Sequence, residues 1–209
     1  MKYALHTAAA LLSAFLISGC GQSEQDNHIK VGAIAGTEAQ VVEVAKKVAK
    51  EKYGLEVEIV SFSDYVTPNV ALNDGSIDVN AFQHKPYLDA QIKDRGYKLV
   101  AVGNTFVYPI AGYSKKIKSI DELKAGSQIA VPNDPTNLGR SLLLLQKQGI
   151  IKLKADVGLN GTVLDIVENP KQVKIVELEA AQLPRSLDDV DLAIINTTYA
   201  SQIDLLPTR

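Results

Sequence analysis

Residues 29–62 read IKVGAIAGTEAQVVEVAKKVAKEKYGLEVEIVSF, and this stretch decides the fold. Ile29–Ile34 is an apolar run that exits into Ala35-Gly36-Thr37-Glu38, the pattern of a buried strand ending in a turn. Val41, Val44, Ala45, Val48 and Ala49 then recur at helical spacing and form one apolar stripe. Glu43 and Lys47 make an i,i+4 pair on the wet side, and Gly54 supplies a stop. Leu55, Val57 and Ile59 alternate with Glu56 and Glu58, so Leu55–Phe62 is a strand with one exposed face. Strand, helix and strand within about 30 residues make a βαβ unit, which calls for a parallel sheet.

The alternation continues outward from this unit. Pro86–Arg95 reads as a helix stopped by Gly96 and followed by strands at Lys98–Val102 and Tyr108–Tyr113. Ser119 caps a short helix with an acidic first turn, and Gln128–Val131 is a strand. Asp134-Pro135 opens the longest helix, with Asp as the N-cap and Pro at the first helical position, and that helix runs to Gly149. A helix near Thr162–Glu168, a strand Val173–Leu178, a short helix Ala180–Leu187 and a strand Leu192–Ile195 complete the reading. The expected fold class is α/β with mainly parallel sheets.

The chain has 209 residues, a net charge of −2, one Cys and no Trp. A balance of 22 basic against 24 acidic residues argues against a nucleic-acid binder, and a hydrophobic content of 46% excludes disorder. A lone Cys excludes a disulfide framework and any multi-Cys zinc site. That Cys has another use. Met1-Lys2 is a short basic start and Ala8–Ile17 an apolar run, too short to span a bilayer but right for an export signal. The run ends in Ile17-Ser18-Gly19-Cys20, which resembles a bacterial lipobox. The expectation is therefore a signal over residues 1–19, lipidation at Cys20, and a polar tether over residues 20–27. Removal of the signal takes the net charge to −3, because Lys2 is the only charged residue lost.

Four apolar runs end at an asparagine: Asn80, Asn104, Asn133 and Asn196. Ligands in open parallel sheets sit outside the carboxyl ends of the strands, where an Asn offers both donors and acceptors. The loops at these ends also hold six of the twelve Tyr and Phe residues, Tyr65, Phe82, Tyr87, Phe106, Tyr108 and Tyr199. His84 and Arg140 are there too. A cation near a helix N-terminus is disfavoured by the macrodipole unless an anion joins it. An Arg fork would hold a carboxylate bidentately, and aromatics beside it would suit an apolar or sulfur-bearing side chain. The composite is a site for a small zwitterion. No G-x-S-x-G, H-E-x-x-H, P-loop or G-x-G-x-x-G motif is present, so neither an enzyme nor a metal or other cofactor is expected.

The strings Asn80–Leu88 (NAFQHKPYL), Gly96–Tyr113 (GYKLVAVGNTFVYPIAGY), Val131–Gln146 (VPNDPTNLGRSLLLLQ) and Ile195–Tyr199 (INTTY) closely resemble the NlpA/MetQ family of bacterial lipoproteins. The resemblance implies a methionine-binding, lipid-anchored component of an ABC importer, with a permease, an ATPase and the membrane as partners. It places the chain in the cell envelope, facing the periplasm. It also implies a two-lobed periplasmic-binding-protein fold, with lobe 1 at residues 27–105, lobe 2 at 106–195 and a second crossover at 196–209. Arg140 would clamp the ligand carboxylate of L-methionine, D-methionine or a related amino acid. Asn137 and Asn196 would bind its polar end, and Tyr65, Phe82, His84 and Tyr108 would line the thioether pocket. Family members continue past INTTY with a segment that completes lobe 1. With ten residues after Tyr199, the expectation is an incomplete first lobe, with a truncated paralogue lacking transport function as the alternative reading.

Overall fold

The computed structural model describes residues 27–207; the leader, Cys20 and the tether up to residue 26 lie outside the described residues. His28–Ile34 (β1) and Glu56–Phe62 (β2) pair in parallel, from His28 opposite Glu56 to Ile34 opposite Phe62. Thr37–Tyr53 (α1) crosses between them and ends at Gly54, whose left-handed φ lets its N–H return to the last helical turn. After a short helix, Thr67–Asn73 (α2), the two-residue strand Val79–Asn80 (β3) joins the other side of β1 and gives the order β2-β1-β3. Lys85–Arg95 (α3) follows.

The second sheet begins with Ile110–Tyr113 (β4) and Gln128–Pro132 (β5), followed by the helix Pro135–Lys147 (α4). Lys152–Leu153 (β6) and Ile166–Glu168 (β7) form a separate antiparallel ribbon. Lys174–Leu178 (β8) and Leu192–Asn196 (β9) both pair in parallel with β5, and β4 closes one edge antiparallel to β9. The order is β4-β9-β5-β8. Thr197–Ala200 (α5) starts directly from β9.

Every residue of β9 is buried, as a strand covered on both faces must be. On one face α4 lays Leu138, Leu142 and Leu145 over Ile129, Val131 and Ile194. On the other, Leu183 and Leu187 pack with Ala193, Ile195 and Tyr199. Each buried Leu, Ile or Val contributes about 1.5–3 kcal/mol. Ile34 at the end of β1 joins this second cluster, so the two sheets share apolar contact where their strands end. The first sheet's own cluster is smaller, with Val31, Ala33, Val42 and Val57. Gly139 on α4 is required by a close approach, since a Cβ there would lie 2.1 Å from the Leu159 carbonyl oxygen.

Three expectations are corrected. Lys98–Val102 is not a strand: it pairs with none of the described strands, and Val100 and Val102 are 78% and 83% exposed. Thr162–Glu168 is not a helix but a 3-10 turn, Val163–Asp165, leading into β7: Asp165 takes the N–H and the hydroxyl of Thr162 as a capping box would, but Ile166–Glu168 pairs with Lys152–Leu153 instead of continuing the helix. On α1 the buried valine is Val42, while Val44 and Val48 are exposed. The helix is rotated because Glu38 is drawn inward at its first turn, and Val42 lies one turn later on that face. The short helix over residues 180–187 forms as a 3-10 helix, Ala180–Asp188, with Pro184 inside it. Asp134, Ser119, Gly54 and Gly96 cap as their residue types require.

Candidate functional site

A narrow cleft opens at the carboxyl ends of β1, β3 and β9. Its polar end is built by α4. Asp134 caps the helix by accepting the Asn137 backbone N–H at 3.0 Å, and it also accepts from the Asn137 side-chain amide at 2.9 Å. That fixes the orientation of Asn137, whose oxygen faces the other way. Arg140 donates to this oxygen through Nη1 at 2.9 Å, and Asn196, arriving from β9, donates to it at 3.0 Å. Arg140 Nη2 donates to the Tyr108 carbonyl, also at 2.9 Å. Burial pulls the guanidinium below its ordinary value, and Tyr65 and Asp134 work against that shift. The Asn196 side-chain oxygen is buried and has no hydrogen-bond partner among the described residues.

The other end is aromatic. Tyr65 stacks on Phe82 with ring centroids 5.9 Å apart, lies 5.0 Å from Tyr199, and meets Tyr87 edge-on. The Tyr87 hydroxyl donates to the Tyr65 carbonyl at 2.8 Å, which ties the segment before α2 to α3. Burial pushes the hydroxyls of Tyr65, Tyr87 and Tyr199 upward, so these rings stay neutral. His84 is the N-cap of α3, and its Nδ1 accepts the Tyr87 backbone N–H. Burial holds its ring below the ordinary imidazole value and in the neutral form.

The cleft brings together all seven residues singled out from the sequence: Tyr65, Phe82, His84, Tyr108, Asn137, Arg140 and Asn196. Tyr108 differs from the expectation in detail. Its ring takes no part in the stacked cluster, and its carbonyl is what engages Arg140. Asn104 lies in the irregular passage before β4 and ends no strand.

Sequence reasoning missed Glu38, Thr198 and a supporting network. Glu38 is buried, accepts from Thr37 at 2.9 Å and also accepts from the Thr198 hydroxyl. Desolvation raises its carboxyl above the ordinary value, against the opposing hydrogen bonds of the two threonines. Beneath the Phe82–His84 loop, fully buried Asn69 exchanges hydrogen bonds with Gln83 and accepts from Asn80. A signal for this existed in Asp64, three residues before α2, whose carboxylate caps Val66 and Thr67. Among the described residues no cluster of His, Cys, Asp and Glu is placed to hold a metal, and no helix is long and apolar enough to cross a membrane.

Two mainly parallel α/β sheets, a cleft at the strand ends, a half-buried cation and a stacked aromatic wall define the class of a periplasmic-type binding protein. The family model for the NlpA lipoprotein matches residues 29–209, and the chain belongs to that family. It is 74% identical over 203 residues to the D-methionine-binding lipoprotein MetQ of Escherichia coli K12, spanning 96% of this chain and 75% of that protein. A nutrient binding protein from Burkholderia cenocepacia, solved bound to methionine, superposes with a TM-score of 0.84 at 59% identity, covering 87% of this chain and 76% of that one. A periplasmic substrate-binding protein of an ABC transporter from Coxiella burnetii gives 0.83 at 60% identity, over 87% of this chain and 76% of its own.

Proposed function

We propose that this chain is a substrate-binding lipoprotein that takes methionine, L or D, into its cleft and delivers it to an ABC importer. The observation that carries the reading is the convergence on Asn137. Arg140 and Asn196 both spend one donor on its side-chain oxygen, which leaves the Asn196 oxygen buried and unpaired beside a guanidinium with N–H groups to spare. A zwitterion completes both: its carboxylate takes the Arg140 fork and its ammonium meets the Asn196 oxygen. The thioether then lies along Tyr65 and Phe82, where sulfur contacts ring edges favourably. The names of the MetQ relative and of the methionine-bound structure support the same ligand.

In this reading residues 27–105 and 106–195 are the two lobes, and they close on the ligand about the crossovers. Acyl chains on Cys20 hold the protein at a membrane facing the periplasm, and the permease and ATPase of the importer are its partners. The work is binding and delivery rather than catalysis. Isothermal calorimetry of the chain from Cys20 onward should register methionine binding, and Arg140→Ala should abolish it. Wild-type heats equal to those of buffer would refute the proposal.

A further inference from the structure

Asn160-Gly161 is the chain's one Asn-Gly step; every other asparagine is followed by a residue that carries a side chain. It ends the 3-10 turn Gly158–Asn160, on the link from β6 to β7, with Asn160 exposed. Two main-chain bonds close the turn. Asn160 N–H donates to the Val157 carbonyl at 3.1 Å, and Gly161 N–H reaches the Gly158 carbonyl at 3.4 Å, beyond the usual length. Gly161 lies under Val157, so its nitrogen meets the Asn160 side chain when this single turn opens, and such a turn opens easily. The Asp74-Gly75 step is exposed too, but the Ser76 hydroxyl and N–H both donate to Asp74 and hold its carboxyl below the ordinary range. A carboxylate kept ionised is a poor target for attack, whereas the Asn160 amide is neutral.

We propose that Asn160 is a site of spontaneous covalent modification, and that its main product loosens the seat of α4. The Gly161 nitrogen attacks the Asn160 side-chain carbonyl carbon. That C–N bond forms, the bond to the amide nitrogen breaks, and ammonia leaves with the proton of the Gly161 N–H. Water then opens the cyclic imide. Cleavage at the side-chain carbonyl gives Asp; cleavage at the main-chain carbonyl gives isoaspartate, whose main chain runs through the side-chain carbon atoms. Either product adds one negative charge. Isoaspartate also adds one atom to the main chain directly after Leu159, whose carbonyl oxygen presses so closely on α4 that a Cβ at Gly139 would lie 2.1 Å from it. Arg140 is the next residue of that helix. A contact without slack cannot absorb a longer main chain, so α4 loses this support.

The test incubates the chain from Cys20 onward at neutral pH and body temperature for some weeks. The tryptic peptide Ala155–Lys171 should gain about 1 Da, placed at Asn160 by fragmentation. Asn169 in the same peptide should stay unchanged, because Pro170 has no N–H to give up. An isoaspartate-specific methyltransferase should label most of the converted chain. Gly161→Ala should slow the conversion several-fold; at a φ of −60° the added Cβ is tolerated and meets the Val157 side chain first, at 3.2 Å. A folded chain that stays intact while the free Ala155–Lys171 peptide converts, or an Ala variant as fast as the wild type, would overturn the site. Anion exchange then isolates the isoaspartate form for thermal melts beside Asn160→Asp, which has the charge on a normal main chain. The isoaspartate form should melt several degrees lower, with Asn160→Asp close to the wild type. Equal melting temperatures for all three, or an equal fall in both, would overturn the effect on α4.

Discussion

Asn137 has one side-chain oxygen and two donors that need it. Replacing it with Ala leaves Arg140 and Asn196 each short of a partner inside a buried site. We expect a loss of about 1–3 kcal/mol of stability in urea unfolding, together with a clear fall in methionine affinity by calorimetry. Glu38 carries a different kind of prediction. Its folded-state carboxyl is raised, so between the ordinary value of 4.5 and the folded one the native state binds more protons than the unfolded chain. Stability from this group is present in acid and declines as the pH rises through the folded value, the reverse of an ion-paired carboxylate. Glu38→Gln should flatten that decline in thermal melts taken across the pH range above 4.5. A variant with the wild-type slope would exclude Glu38 as its source.

At the scale of elements, α4 joins fold and site. Asp134→Ala removes its N-cap and the clamp on Asn137 together. The cap alone is worth about 0.5–2 kcal/mol, and loss of the clamp should weaken methionine binding as well. Gly139→Ala tests the packing of the same helix. The added methyl would meet the Leu159 backbone, which cannot rotate away, and about 1–3 kcal/mol of destabilisation should follow in urea titrations. These two local features also show what the sequence makes legible. The βαβ unit and α4 were readable because their signals are short-range: an alternating strand, an Asp-Pro start, a Gly stop. Lys98–Val102 carried an apolar run like that of β1 and became no strand, because a ladder needs a partner and an apolar run says nothing about one. The helix α2 went unread because Pro68, Asn69 and Asn73 are poor helix formers; Asp64 and burial of Asn69 hold it instead. At the cleft, strand-end aromatics and amides were visible as a class. Glu38 was not, since an acidic residue in a first helical turn is explained by the macrodipole alone.

For the molecule as a whole, the cleft draws on both sheets, so a ligand held there couples them. Methionine at 100 times its dissociation constant should add about 2.7 kcal/mol to apparent stability, read as a concentration-dependent rise in melting temperature. A melting temperature that methionine leaves unchanged would count against binding to the folded state. The surface adds a second whole-molecule feature. Val44, Val100, Val102, Phe106 and Val107 are all strongly exposed, and most lie in or beside the irregular passage between α3 and β4. Apolar exposure on this scale favours self-association, so binding measurements belong at low protein concentration.

Asp134 has a consequence for how this protein changes over generations. One carboxylate both starts the helix that carries the core leucines and orients the amide on which the cleft converges. Substitutions there cannot erode recognition quietly while the chain stays well folded. Selection for stability and selection for ligand act on the same two oxygen atoms. Drift toward a different ligand is therefore channelled to the aromatic end, where Tyr65 and Phe82 can be exchanged without touching that helix start.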